Sequence, residues 1–73
     1  MERGNTKYEI LDAALTLFST GGYEATSISQ IAEAVGIRKA SLYSHFASKQ
    51  DILDELIEII QKQYEEHSMF AQA

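Results

Sequence analysis

"TSISQIAEAVGIRKASLYSHFASKQDIL", residues 26–53, decides the fold. Ser27 followed three residues later by Gln30 is the pattern of a helix start. The serine oxygen accepts a backbone N–H and the glutamine side chain reaches back. Ile28, Ile31, Ala32 and Val35 then recur at helical spacing, and Gly36 ends the pattern. A second helical stretch runs from about Arg38 to Phe46, after a connection of only a few residues. Two short helices joined so tightly cross at a steep angle, which is helix-turn-helix geometry over about residues 27–46. Ala32 allows the crossing helix to approach, and apolar Ile37 anchors the turn.

Two further helices flank this unit. Upstream, "TKYE" at residues 6–9 reads as a capping box on Thr6 and Glu9. Ile10, Leu11, Ala14, Leu17 and Phe18 form the stripe behind it, and "TGG" at 20–22 stops the helix at a left-handed glycine. Downstream, "SKQD" places Ser48 and Asp51 as a cap for a helix over about residues 49–67. Its stripe is Ile52, Leu53, Leu56, Ile57, Ile60 and Tyr64. Ile59 widens that stripe, and Met69 with Phe70 adds apolar surface beyond it. This width predicts that the fourth helix supports something outside the small bundle.

Composition agrees with one all-α domain over residues 1–73. The chain is 45% hydrophobic and has neither Cys nor Pro, so disulfides and thiol chemistry are excluded. His45 and His67 lack the companions a metal site needs, so no metal or other cofactor is expected. No apolar run reaches membrane-spanning length, and "MERGNTKYEI" has no apolar core of a secretory signal. The expectation is a soluble, cytoplasmic protein with no membrane partner.

The net charge is -5, but it is unevenly spread. Residues 26–50 carry Arg38, Lys39 and Lys49 against Glu33, whereas residues 51–73 carry six acids against Lys62. "RKASLYSHFASK", residues 38–49, has no acid at all. On a wheel of about 100° per residue, Leu42 and Phe46 point to the core. Ser44 then points directly outward, with Ala40 and Ser41 beside it. Tyr43 and His45 fall on the flanks, Arg38 and Lys39 project from the N-terminal end, and Lys49 lies just past the far end. Small residues outermost let the backbone enter a groove about 12 Å wide. The phenol, the imidazole and the cations suit phosphate. An acid on this surface would repel a polyanion, which is the physical reason for its absence.

These residues resemble the N-terminal DNA-binding domain of the TetR-type (tetracycline-repressor-like) bacterial transcription regulators. The resemblance covers about residues 7–60. It is carried by "ILDAALTLFSTGGYEAT", by residues 26–53, and above all by Leu42, Tyr43, His45, Phe46 and Lys49 in their spacing. It implies a homeodomain-like three-helix domain with a helix-turn-helix and a fourth connecting helix. It further implies a repressor that binds double-stranded operator DNA as a homodimer. A C-terminal domain not present in this chain would bind a small-molecule inducer.

Carried over by position, Tyr43, His45 and Lys49 match phosphate-holding residues, and Thr26 and Ser27 match the backbone-touching start of the second helix, where both read as caps. Ser29, Lys39, Ala40, Ser41 and Ser44 match the base-reading positions. Two departures stand out. Arg38 replaces the usual capping serine and is assigned a phosphate or base contact instead, and Ala40 replaces a frequent glycine. An alternative reading is a protein-interaction module docking through the apolar face of the fourth helix. An enzyme is not expected, because Ser41 and His45 have no third orienting group or pocket.

Overall fold

The computed structural model describes residues 5–72, and of residues 65–72 the backbone alone. It contains four helices: α1 Thr6–Gly21, α2 Ile28–Val35, α3 Lys39–Tyr43 and α4 Lys49–Gln72. α1 packs against both α2 and α4, and α2 packs against α3. The core between them consists of Ile10, Leu11 and Ala14 from α1, Ile31 and Ala32 from α2, Leu42 and Phe46, and Ile52 and Leu56 from α4. Each helix buries one stripe and leaves the rest to solvent, as amphipathic periodicity requires.

Caps account for most of the boundaries. Ser27 Oγ accepts the Gln30 N–H at 3.1 Å, and the Ser27 N–H donates to Gln30 Oε1 at 2.8 Å, so the expected capping box closes α2. Gly36 ends α2 in the left-handed region, with φ 88°. The N–H groups of Gly36 and Ile37 both turn back onto the Ala32 carbonyl, at 2.9 and 3.0 Å. Space around Gly36 is open, so glycine is required there for its backbone conformation and not for clearance. At α4 the Asp51 N–H donates to Ser48 Oγ at 3.2 Å, while the Asp51 carboxylate accepts from the Ala47 N–H, one residue before the cap.

Several expectations need correction. Thr6 is already inside α1, and Asn5 takes the cap position. Gly22 leaves α1 with φ 95° and ψ 147°, a positive-φ extended geometry and not the left-handed turn. α3 is only five residues long, Lys39–Tyr43, and does not reach Phe46. The chain tightens after Tyr43: the N–H groups of His45 and Phe46 both donate to the Leu42 carbonyl, at 2.9 and 3.1 Å. Phe46 still reaches the core through this turn.

The stripe of α4 is also differently placed. Ile52, Leu56 and Ile59 face inward, so Ile59 belongs to the core side. Ile57, Ile60 and Tyr64 are exposed, at 42%, 50% and 72%. α4 continues past the expected end near residue 67, to Gln72. Met69 and Phe70 lie outside the residues whose side chains are described.

Leu42 is fully buried and Ile60 half exposed. Leu42→Ala is expected to cost about 2–5 kcal/mol, and Ile60→Ala to stay within about 0.5 kcal/mol. Urea denaturation of the two variants checks the difference.

Candidate nucleic-acid interface

α3 and its two ends leave a continuous run of exposed residues around one buried anchor. Leu42 is sealed in the core, and Arg38, Lys39, Ala40, Ser41, Tyr43, Ser44 and His45 are all exposed. The outward direction assigned to Ser44 is therefore the observed one. Its hydroxyl donates to the Ser41 carbonyl at 2.6 Å, which folds the side chain against the backbone and keeps the helix surface low. Tyr43 is 48% exposed. Arg38 takes the cap position with extended backbone and forms no side-chain cap. Among the described residues, the side chains of Arg38 and Lys39 make no ion pair or hydrogen bond, so both cations are available to a ligand.

The start of α2 adds Ser27 and Ser29, both exposed. Ser27 Oγ is occupied as an acceptor by the capping box, but a hydroxyl in that role can still donate its proton. The exposed N–H groups of a helix start favour anions in the same region.

Two assigned residues are placed differently. Thr26 is 4% exposed, so its side chain lies inside and not on the surface where the phosphate assignment expected it. Its hydroxyl lies 2.8 Å from the Gly22 carbonyl and 3.3 Å from the Leu17 carbonyl, and its N–H donates to the Tyr23 carbonyl at 3.2 Å. Both of its donors are thus consumed in closing the corner between α1 and α2, and it does not cap α2. Lys49 is half-buried. Its Nζ donates to the Tyr23 carbonyl at 2.8 Å and to the Thr26 carbonyl at 3.0 Å.

His45 stands at the margin. It borders a shallow groove of about 330 Å³ shared with Lys7, Phe46, Asp51, Asp54, Glu55 and Glu58. The acid-free surface of α3 therefore ends where the acidic flank of α4 begins. Lys7 crosses this groove, with its Nζ 3.5 Å from Glu55 Oε2 and 5.8 Å from the centre of the Phe46 ring.

Sequence reasoning missed Tyr23 and Lys7. Tyr23 packs edge-on against Phe18, with ring centroids 5.1 Å apart, and its ring lies 4.2 Å from Lys49 Nζ. An aromatic residue directly after a glycine corner was the available signal, but nothing in the spacing links it to a lysine 26 positions on.

The model of the tetR family of bacterial regulatory proteins matches residues 10–56. The chain belongs to that family. Among similar proteins is the biofilm operon icaADBC HTH-type negative transcriptional regulator IcaR of Staphylococcus aureus, 49% identical over 51 residues, covering 70% of this chain and 27% of that protein. The HTH-type transcriptional repressor KstR2 of Rhodococcus jostii is 44% identical over 55 residues, covering 75% and 27%. The solved structure of the fatty acid degradation regulator FadR from Bacillus halodurans superposes with a TM-score of 0.80 at 27% identity, covering all of this chain and 39% of that one. The chain spans about a quarter of the length of the curated relatives it matches. The all-helical fold with its helix-turn-helix is that of these tetR-family domains.

Thr26→Val is expected to lower stability by about 1–2 kcal/mol, because it removes the donor to the Gly22 carbonyl in a buried site. Thr26→Ser, which keeps the hydroxyl, is expected to recover most of that loss. Thermal melts of both variants check it.

Proposed function

We propose that this chain is the DNA-reading part of a transcriptional regulator, a repressor by its similarity to IcaR and KstR2. The observation that carries the reading is the exposed, acid-free surface of α3, locked outward by buried Leu42. α3 would lie in the major groove with its small residues Ala40, Ser41 and Ser44 nearest the bases. Arg38, Tyr43 and Ser27 would hold phosphates, with His45 at the edge. Lys39 is the strongest base reader, since an ammonium can donate to the O6 and N7 of guanine. Ala40 and the Ser41 methylene suit a thymine methyl, and Ser29 and Ser44 complete the reading set. With so few strong readers, DNA shape contributes to sequence choice.

The operator would be palindromic and bound by a homodimer, each copy filling one half-site. Dimerisation and release by a small-molecule inducer would rest on chain beyond these 73 residues. Support for that comes from the length of the relatives, of which this chain spans about a quarter. The chemistry is binding and not catalysis, and the site of action is the cytoplasm, where bacterial DNA lies. Exposed Ile57, Ile60 and Tyr64 favour the second reading, a partner docking on α4, as an addition to DNA binding and not a replacement for it.

Selection of bound duplexes from a random pool tests the reading. The chain, dimerised by fusion, is expected to enrich a palindromic motif, and failure to retard any duplex at low salt would leave α4 docking as the function. Lys39→Ala is expected to relax preference at one or two base pairs, worth about 1–3 kcal/mol each. Tyr43→Phe is expected to weaken all sequences by the same factor. An unchanged motif for the first variant, or an altered one for the second, would reverse those two assignments.

A further inference from the structure

We propose that Ser44 is a specificity-determining residue that reads DNA only as a hydrogen-bond acceptor, and so selects adenine or cytosine against guanine or thymine on the strand it faces. This rests on the DNA-binding reading above. A serine hydroxyl has one donor and two lone pairs. The Ser44 hydroxyl lies 2.6 Å from the Ser41 carbonyl, and a carbonyl can only accept, so the hydroxyl proton is on that bond. The Ser44 N–H is spent as well, on the Ala40 and Ser41 carbonyls at 3.2 and 3.1 Å. Ser44 is exposed, yet it has no donor left for a ligand. Only the lone pairs of its Oγ remain to bind one.

Phosphate oxygens accept and do not donate, so Ser44 in this conformation cannot hold the backbone of a duplex. Ser27 is the opposite case. Its Oγ accepts the Gln30 N–H and keeps its own proton free. Two exposed serines of one surface thus suit different partners, the first a base and the second a phosphate. In the major groove the donors are the N6 amine of adenine and the N4 amine of cytosine, whereas guanine O6 and thymine O4 are acceptors. Against either oxygen, Ser44 Oγ would set lone pair against lone pair. To donate instead, the hydroxyl would have to leave the Ser41 carbonyl.

The rest of the surface gives this acceptor its value. Residues 38–49 contain no Asp, Glu, Asn or Gln, the side chains that commonly accept from base amines. Arg38 and Lys39 can only donate. A fixed hydroxyl acceptor supplies what they lack and brings no negative charge toward phosphate. Ser44 follows α3 with helical backbone, φ -74° and ψ -16°, so the bond to Ser41 is a local contact within one turn and needs no other part of the fold.

The test uses the chain dimerised by fusion, its Ser44→Ala variant, and duplexes selected from a random pool. The parent motif is expected to hold one position of each half-site to adenine or cytosine on one strand. Ser44→Ala is expected to lose that preference by about three- to tenfold, the value of one neutral hydrogen bond. The amine at that position is then deleted in a synthetic duplex, with purine in place of adenine or pyrimidin-2-one in place of cytosine. The deletion also weakens the base pair, so the measure is the parent's loss divided by the variant's. A ratio of about three to ten is expected.

A ratio of one overturns the proposal. So does a Ser44→Ala motif that is unchanged, one that loses a preference for guanine or thymine, or binding that weakens equally on every sequence, as a lost phosphate contact would cause. Should Ser44→Ala not fold, the parent alone decides: binding that does not fall when the amine is deleted overturns the proposal, and a fall at that position alone supports it. A parent that retards no duplex at low salt sinks the DNA reading and this proposal together, an outcome distinct from a parent that binds and ignores the amine.

Discussion

A five-residue helix cannot hold its own direction. α3 is far below the length at which helices persist in water, so its orientation comes from what it buries. Leu42 is the centre of that attachment. It is fully buried, in one core with Ile31 of α2, Ile10 of α1 and Ile52 of α4. Phe46, delivered by the tight turn onto the Leu42 carbonyl, adds a second point of attachment. With two points fixed, the opposite side of the helix faces outward, and the small and cationic residues there acquire a common direction.

The surroundings of α3 are arranged to keep that attachment rigid. On one side, Gly36 and Ile37 wrap onto Ala32, so the link from α2 has little freedom. On the other side, the Ser48 cap and the Asp51 contact to the Ala47 N–H start α4 at once after the turn. Buried Thr26 fixes the corner ahead of α2 with its only side-chain donor. Apolar burial sets where α3 points, and hydrogen bonds to backbone carbonyls limit how far it can stray.

The helix-turn-helix was legible because its signals are local. Ser27 and Gln30, the stripe through Ile31 and Ala32, and Gly36 all act within a few residues, and each is found as expected. The outward placement of Ser44, Ala40 and Ser41 followed from Leu42 and Phe46 by angle alone. What was not legible depends on partners distant in sequence. Thr26 and Lys49 both look like polar surface residues, and only the folded corner shows that they spend their donors on each other's neighbourhood. Ile57 and Ile59 are equally apolar, and the choice of Ile59 for the core side is made by how α4 lies across α1. The shortness of α3 arises at its C-terminal end, where the chain tightens onto the Leu42 carbonyl to deliver Phe46 to the core.

The acid-lined groove beside His45 gives the proposed reading surface a boundary. A duplex resting on Arg38, Lys39 and Tyr43, as proposed above, would meet carboxylates on α4 as soon as it passed the imidazole, and a sugar-phosphate strand would be turned away there. On that reading the footprint of one module would be fenced on that flank. Recognition of a longer address in a genome would then call for a second module set down farther along the double helix, and the distance between the two would become part of the address.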